Sequence, residues 1–254
     1  MSAPTATART SDPIASVRWD DDVVWDERLR RDAQVASLHQ TDELRAITDD
    51  VLARALLAGA RSFALTGSTA VNRRTHISDL DFYVVGNRPA VPFTDEEIDV
   101  YVVDVEEFER RLQLGDDYLH WTLRFGLILH DLGPLRAALE RTSGDNLWPN
   151  PEAKAVQARK AAEMAAAILQ TGDRHAAVEQ CRIAFSLAAR WWLLQAGEFP
   201  RARRDLPVQL RPTRLRWLGD ALAATIFDAP DEQELATTLD RLRSVLNPRT
   251  QHVD

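Results

Sequence analysis

Apolar residues recur in two rhythms along this chain of 254 residues. Leu44, Ile47, Val51, Leu52, Ala55 and Leu56 return at intervals of three and four, the period of one helix face. Thr41 or Asp42 is placed to cap that helix, and Gly59 ends it. A charged stretch near Asp26–His39, with Trp19 and Trp25 close by, predicts an earlier helix. The rhythm then shortens. Ser62–Thr66, Asp79–Val85 and Ile98–Val103 read as strands; in the third, Ile98, Val100 and Val102 alternate with Glu97, Asp99 and Tyr101, the period of a half-buried strand. Gly86-Asn87-Arg88-Pro89 breaks the second. Helices follow at 105–114 and 116–126, with Asp104 starting the first of them. Leu127–Asp131 is a short apolar run read as a further strand, and a short helix covers 134–141.

A tract of two Pro, one Gly and two Asn at 143–151 marks a boundary. Beyond it the pattern is almost wholly helical, over 152–171, 174–196, 213–227 and 231–246. Val178, Cys181, Phe185, Ala188 and Trp192 form one apolar stripe, as in an up-and-down bundle. The organisation predicted is a disordered tail at 1–16, a strand-bearing domain at 17–142, a linker at 143–151 and a helical bundle domain at 152–254. The N-terminal stretch is polar and small, without the apolar centre of a signal peptide. The longest apolar run, Ile183–Ala196, is 14 residues and contains Arg190; a membrane span needs about 20. Cys181 is the single cysteine, so no intramolecular disulfide can form, and a reducing cytoplasm is the compartment expected.

Charge is unevenly spread. Residues 1–150 carry 16 basic and 26 acidic groups, a balance of −10, whereas residues 151–254 carry 15 and 13, a balance of +2. An acidic strand-bearing half argues against nucleic acid as the substrate, since phosphate backbones select basic surfaces. It suits a small cationic acceptor.

The chemistry concentrates in Leu65–Val85. A short apolar strand runs into Gly67-Ser68, and about ten residues later Asp79-x-Asp81 opens another apolar strand. Two carboxylates two apart on a strand share a face, with backbones about 6.5–7 Å apart. Such a pair can hold divalent cations of the Mg²⁺ type, which prefer carboxylates plus phosphate oxygens. A Gly-Ser turn just before it can cradle those phosphates with backbone N–H groups.

This arrangement of Gly67, Ser68, Asp79 and Asp81, with Leu80 and Phe82 as the apolar partners, resembles the nucleotidyltransferase superfamily of DNA polymerase β, in its minimal or antibiotic-modifying form. The resemblance is specific over about 40 residues. It implies an α+β fold: a small mixed β-sheet with flanking helices, followed by an all-α helical domain. It also implies a third acid on a neighbouring strand, assigned to Asp99, with Glu97 on the same face as a reserve ligand or general base. Asp79, Asp81 and Asp99 would hold two Mg²⁺ ions, and Gly67 and Ser68 the phosphates of an NTP, ATP in the first instance. Arg73 or its neighbour Arg74 would neutralise triphosphate charge. The implied reaction moves a nucleoside monophosphate onto a hydroxyl of a small molecule, an aminoglycoside-like antibiotic being the family's example. Transfer of AMP onto a protein or RNA, as in the minimal nucleotidyltransferases with HEPN partners, is the second reading. A non-catalytic nucleotide-binding regulator is the third. Dimers are frequent in that family, so a homodimer is a further expectation.

In the helical half, Glu179, Arg182, Ser186 and Arg190 fall three or four apart on one helix face. By the same resemblance, Arg182 is assigned to a phosphate. Six arginines between Arg201 and Arg216 form a basic run that is more often a solvated surface than a ligand site. Trp191, Trp192 and Trp217 are read first as core. Arg124 and His130 match the spacing of an RNase pair only by chance, since they precede the linker.

Overall fold

The computed structural model describes residues 22–76, 78–87, 98–144, 148–228 and 230–247. The expected tail at 1–16, Trp19 and Glu97 lie outside the described residues. The chain divides into two compact units at Pro149/Asn150. The fold is α+β, with a small mixed sheet in the first unit and helices alone in the second.

The sheet of the first unit contains β1 (Ser62–Leu65), β2 (Leu80–Val85), β3 (Ile98–Val103) and β4 (Leu127–Asp131), in the order β3-β2-β1-β4. β1 runs antiparallel to both β2 and β4, while β2 and β3 are parallel. Six helices accompany it: α1 (Asp22–Leu38), α2 (Asp42–Leu57), α3 (Gly67–Ala70), α4 (Val105–Gln113), α5 (Asp117–Phe125) and α6 (Pro134–Gly144). Their starts are set locally. The side chains of Thr41, Asp104 and Asp116 accept backbone N–H groups of Leu44, Glu107 and Leu119 at the heads of α2, α4 and α5.

Both faces of the sheet are covered. One face, with Ala64, Tyr83, Val85, Val103 and Ile128, packs on Phe108 and Leu112 of α4, Leu119 and Leu123 of α5, and Leu135 and Leu139 of α6. The other, with Phe63, Leu65, Leu80, Phe82 and Val84, packs on Val51 and Ala55 of α2, Ala36 of α1 and Ala70 of α3. This explains why β1 and β2 read as near-continuous apolar runs: every residue of β1 is buried, and in β2 only Asp81 is not.

α1 lies along the edge strand β4, contributing Trp25 to one core and Ala36 to the other. A buried carboxylate fastens it there. Asp32 accepts the backbone N–H of Ile128 at 3.1 Å and pairs with Arg28 at 3.2 Å, the two side chains being 3% and 2% exposed. An edge N–H that would otherwise template foreign strand pairing is thereby used internally.

The second unit holds α7 (Pro151–Gln170), α8 (Arg174–Gln195), α9 (Leu206–Leu210), α10 (Arg216–Phe227) and α11 (Glu232–Leu246). α7 and α8 form a hairpin whose buried faces are mostly alanine (Ala155, Ala158, Ala162 and Ala165 against Ala177, Ala184 and Ala188), which lets the axes approach closely. Asn150 and Asp173 cap these helices, and Asp231 with Glu234 forms a capping box on α11. α9 was not expected from the pattern. Its five residues are too few to show a period, and it packs where Gly219 of α10 has no side chain: a Cβ there would lie 2.9 Å from the Pro207 carbonyl. Among the described residues, no helix is long and apolar enough to cross a membrane.

Asp32→Ala leaves the buried Arg28 charge and the Ile128 N–H without this acceptor. The expected loss is about 3–5 kcal/mol of unfolding free energy, measured by urea denaturation. Asp32→Asn, which keeps an acceptor, is expected to lose less.

Candidate active site

Two acids of the strand-bearing unit stand side by side at one end of the sheet, and a third, Asp79, lies near enough for its charge to act on Asp81. In the parallel β2/β3 pair, Asp81 lies opposite Asp99, followed on the same face by Tyr83 opposite Tyr101 and Val85 opposite Val103. The valines and Tyr83 are buried beneath α4 and α5, so this face changes from core to carboxylates within one strand length. Asp79 precedes β2 by one residue, outside the regular ladder. Asp79 and Asp99 are exposed and Asp81 is half-buried.

Gly67 explains how the Asp81 carboxylate finds room. The chain leaves β1 at Thr66, whose N–H donates to the Asp81 carbonyl at 2.7 Å, and turns into α3 with Gly67 at φ +63°. A Cβ at position 67 would lie 1.7 Å from Asp81 Oδ2. Glycine is therefore required twice over, by the left-handed backbone and by the carboxylate occupying the space of its absent side chain. Ser68 follows in α3, half-buried, its carbonyl accepting the Arg73 N–H at 2.8 Å.

The electrostatics follow from this crowding. Burial, then the charges of Asp99 and Asp79, raise the Asp81 pKa to about 6, opposed by Arg74. Of the two adjacent arginines, it is the half-buried Arg74 whose charge acts on Asp81; Arg73, expected at the triphosphate, is exposed.

Tyr118, in the first turn of α5, is the site residue that the sequence did not reveal. Its hydroxyl lies 3.2 Å from Thr66 Oγ1, and its ring packs against Tyr83 (5.9 Å) and edge-on against Tyr101 (5.8 Å). Burial raises its pKa to about 12, with Asp81 and Asp99 adding to the shift and the Thr66 hydrogen bond opposing it. Tyr101 was legible as a member of the Asp99 face. Tyr118 carries no local signal, because only the docking of α5 brings it to the carboxylates.

Arg182 lies in the helical unit. Its Nη1 donates to Glu179 at 2.7 Å, and its Nε and Nη2 both reach the Thr225 carbonyl. Two of the tryptophans read as core are half-buried, each with a guanidinium over its ring, Arg214 over Trp192 and Arg241 over Trp217, both at 4.3 Å.

Among the described residues, no three His, Cys, Asp or Glu side chains are gathered closely enough to hold a metal ion. Asp81 and Asp99, paired in register, are carboxylate donors of the hard-oxygen type that Mg²⁺ accepts, and a shell built on them would need water and phosphate oxygens to complete it.

In EDTA, Asp81→Asn should stabilise the protein above pH 6. The folded-state pKa is raised, so between about pH 4 and 6 the folded protein binds the extra proton, and wild-type stability from this group falls as pH rises through that window. A shift of about two units corresponds to roughly 2–3 kcal/mol, which partial exposure cuts to about 1 kcal/mol. Thermal melts at pH 8 and pH 4.5 check this: the variant should melt higher at pH 8, and the gain should vanish at pH 4.5.

No protein-family model matches the chain, and neither does any curated protein. Among solved structures, it is similar to a nucleotidyltransferase-like protein from Exiguobacterium sibiricum, with 16% identity and a TM-score of 0.41, over 80% of this chain and 72% of that one. The placement of the carboxylates, not that likeness, bears on function.

Proposed function

We propose that this protein is a Mg²⁺-dependent nucleotidyltransferase that moves a nucleoside monophosphate, AMP from ATP in the first instance, onto a hydroxyl of a small molecule and releases pyrophosphate. The observation that carries this reading is the in-register pairing of Asp81 with Asp99, with the Asp81 carboxylate seated against Gly67. It places the Gly-Ser turn beside the acids, where a phosphate chain and a dication are wanted together. The −10 balance of residues 1–150 favours a cationic acceptor, and an aminoglycoside-like antibiotic is the first class to try.

Asp79, Asp81 and Asp99 would hold the Mg²⁺, which supplies charge neutralisation at phosphate and a lowered pKa for the acceptor hydroxyl. The chain's own groups do the rest. Gly67 and Ser68 hold the phosphates, and Arg74 balances charge beside Asp81. The acceptor oxygen bonds to the α-phosphorus as the bond to pyrophosphate breaks, and the hydroxyl proton passes to a carboxylate, Glu97 being the candidate. Below about pH 6 the Asp81 carboxyl keeps its proton and is withdrawn from cation binding.

The same carboxylates also admit a nucleotide-binding regulator that binds without transfer. Titration of ATP with Mg²⁺, followed by a pyrophosphate-release screen against aminoglycosides and other hydroxylated small molecules, separates the two. Transfer is expected to give an acceptor adduct heavier by one nucleoside monophosphate in mass spectrometry. Asp79→Asn, Asp81→Asn and Asp99→Asn should each lower turnover by about 10³-fold, the rate equivalent of several kcal/mol of lost charge stabilisation, with the fold intact by circular dichroism. Binding with no release across the panel, or an Asp81→Asn variant at the wild-type rate, would sink the transferase reading.

A further inference from the structure

Tyr118 is neither a metal ligand nor a base in the scheme above, yet its hydroxyl sits where the turn, β2 and the carboxylates converge. Thr66 Oγ1 lies 3.3 Å from the Asp81 carbonyl, which can only accept, and 3.2 Å from the Tyr118 hydroxyl, in a contact where either oxygen can be the donor. Tyr118, Thr66 and the Asp81 main chain are thereby linked in one chain of polar contacts. The backbone N–H of Thr66 donates to the same carbonyl at 2.7 Å.

Two consequences follow. The Thr66-Gly67 turn is fastened to the main chain of Asp81 by the Thr66 N–H and hydroxyl, and that hydroxyl also meets Tyr118. The Tyr118 hydroxyl is thus engaged with the turn, one residue before Gly67. Tyr118 is itself held by its ring contacts with Tyr83 and Tyr101, the residues that follow Asp81 and Asp99 on the same face. A side chain on α5 thereby registers the turn and both acid-bearing strands against one another.

We infer that Tyr118 is a positioning residue, acting through Thr66 to hold the Gly67-Ser68 turn against Asp81. This rests on the transferase reading for its kinetic consequence, but not for its structural one. The experiment therefore uses two readouts on the full chain. Tyr118→Phe keeps the ring and removes only the hydroxyl. Hydrogen–deuterium exchange at the amides of residues 66–70 should quicken about three- to tenfold, the loosening expected for one lost hydrogen bond, while amides of β2 beyond Tyr83 stay as protected as before. If transfer occurs, kcat should fall by a similar factor with the KM for NTP unchanged. Thr66→Val should do the same, and Tyr118→Phe added to Thr66→Val should cost nothing more, since the two act as one chain. Exchange at 66–70 identical to wild type would overturn the inference, as would a double variant whose effects simply add. Should the wild-type protein show no transfer to any acceptor, the transferase reading fails by that observation, and the exchange pattern still decides the role of Tyr118.

Discussion

The close approach of the Asp81 carboxylate to the backbone of Gly67 is the constraint around which the first unit is arranged. Oδ2 of Asp81 fills the space a side chain at position 67 would need. Position 67 must therefore be glycine, and the turn out of β1 can take the left-handed backbone it has. The same contact fixes how far β1 extends beyond β2, because Leu65 pairs with Phe82 and Thr66 bonds the Asp81 carbonyl. The Thr66-Gly67 turn and an acid-bearing strand are thus joined by a packing contact.

That arrangement stores electrostatic tension. Half-burial of Asp81 is the main penalty on its charge, the charges of Asp99 and Asp79 add to it, and Arg74 opposes them. Perturbed groups of this kind cluster at functional sites. A proton relieves the tension at low pH. Beside Asp81, Tyr83, Tyr101 and Tyr118 pack on one another, with Tyr83 buried against Phe108 of α4.

The remainder of the unit keeps this corner rigid. Both sheet faces are packed, and the β4 edge is used by Asp32 of α1, whose buried pairing with Arg28 would be costly to break. In the helical unit the alanine-lined hairpin of α7 and α8 plays the corresponding part, and its surface carries arginines turned onto carbonyls, carboxylates and tryptophan rings.

Much of the fold could be read from residue order, because it depends on local rules. The strands at 62, 80, 98 and 127, the helix starts at Asp104, Asp116 and Asn150, and the break near 149 follow from periodicity, capping and linker composition, which neighbours in sequence decide. The candidate acids Asp79, Asp81 and Asp99 were legible for the same reason, two by spacing and one by strand parity. Other features depend on the meeting of distant segments. The parallel pairing that sets Asp99 opposite Asp81, the contact that forbids a side chain at 67, and the arrival of Tyr118 at Thr66 join residues 14 to 52 positions apart, and the choice of Arg74 over Arg73 beside Asp81 is finer than spacing can resolve. The sequence by itself determined which residue types could bind a cation and on which strands they would stand. Tertiary structure alone decided which of them touch, because side-chain packing and strand register are settled by the whole core at once.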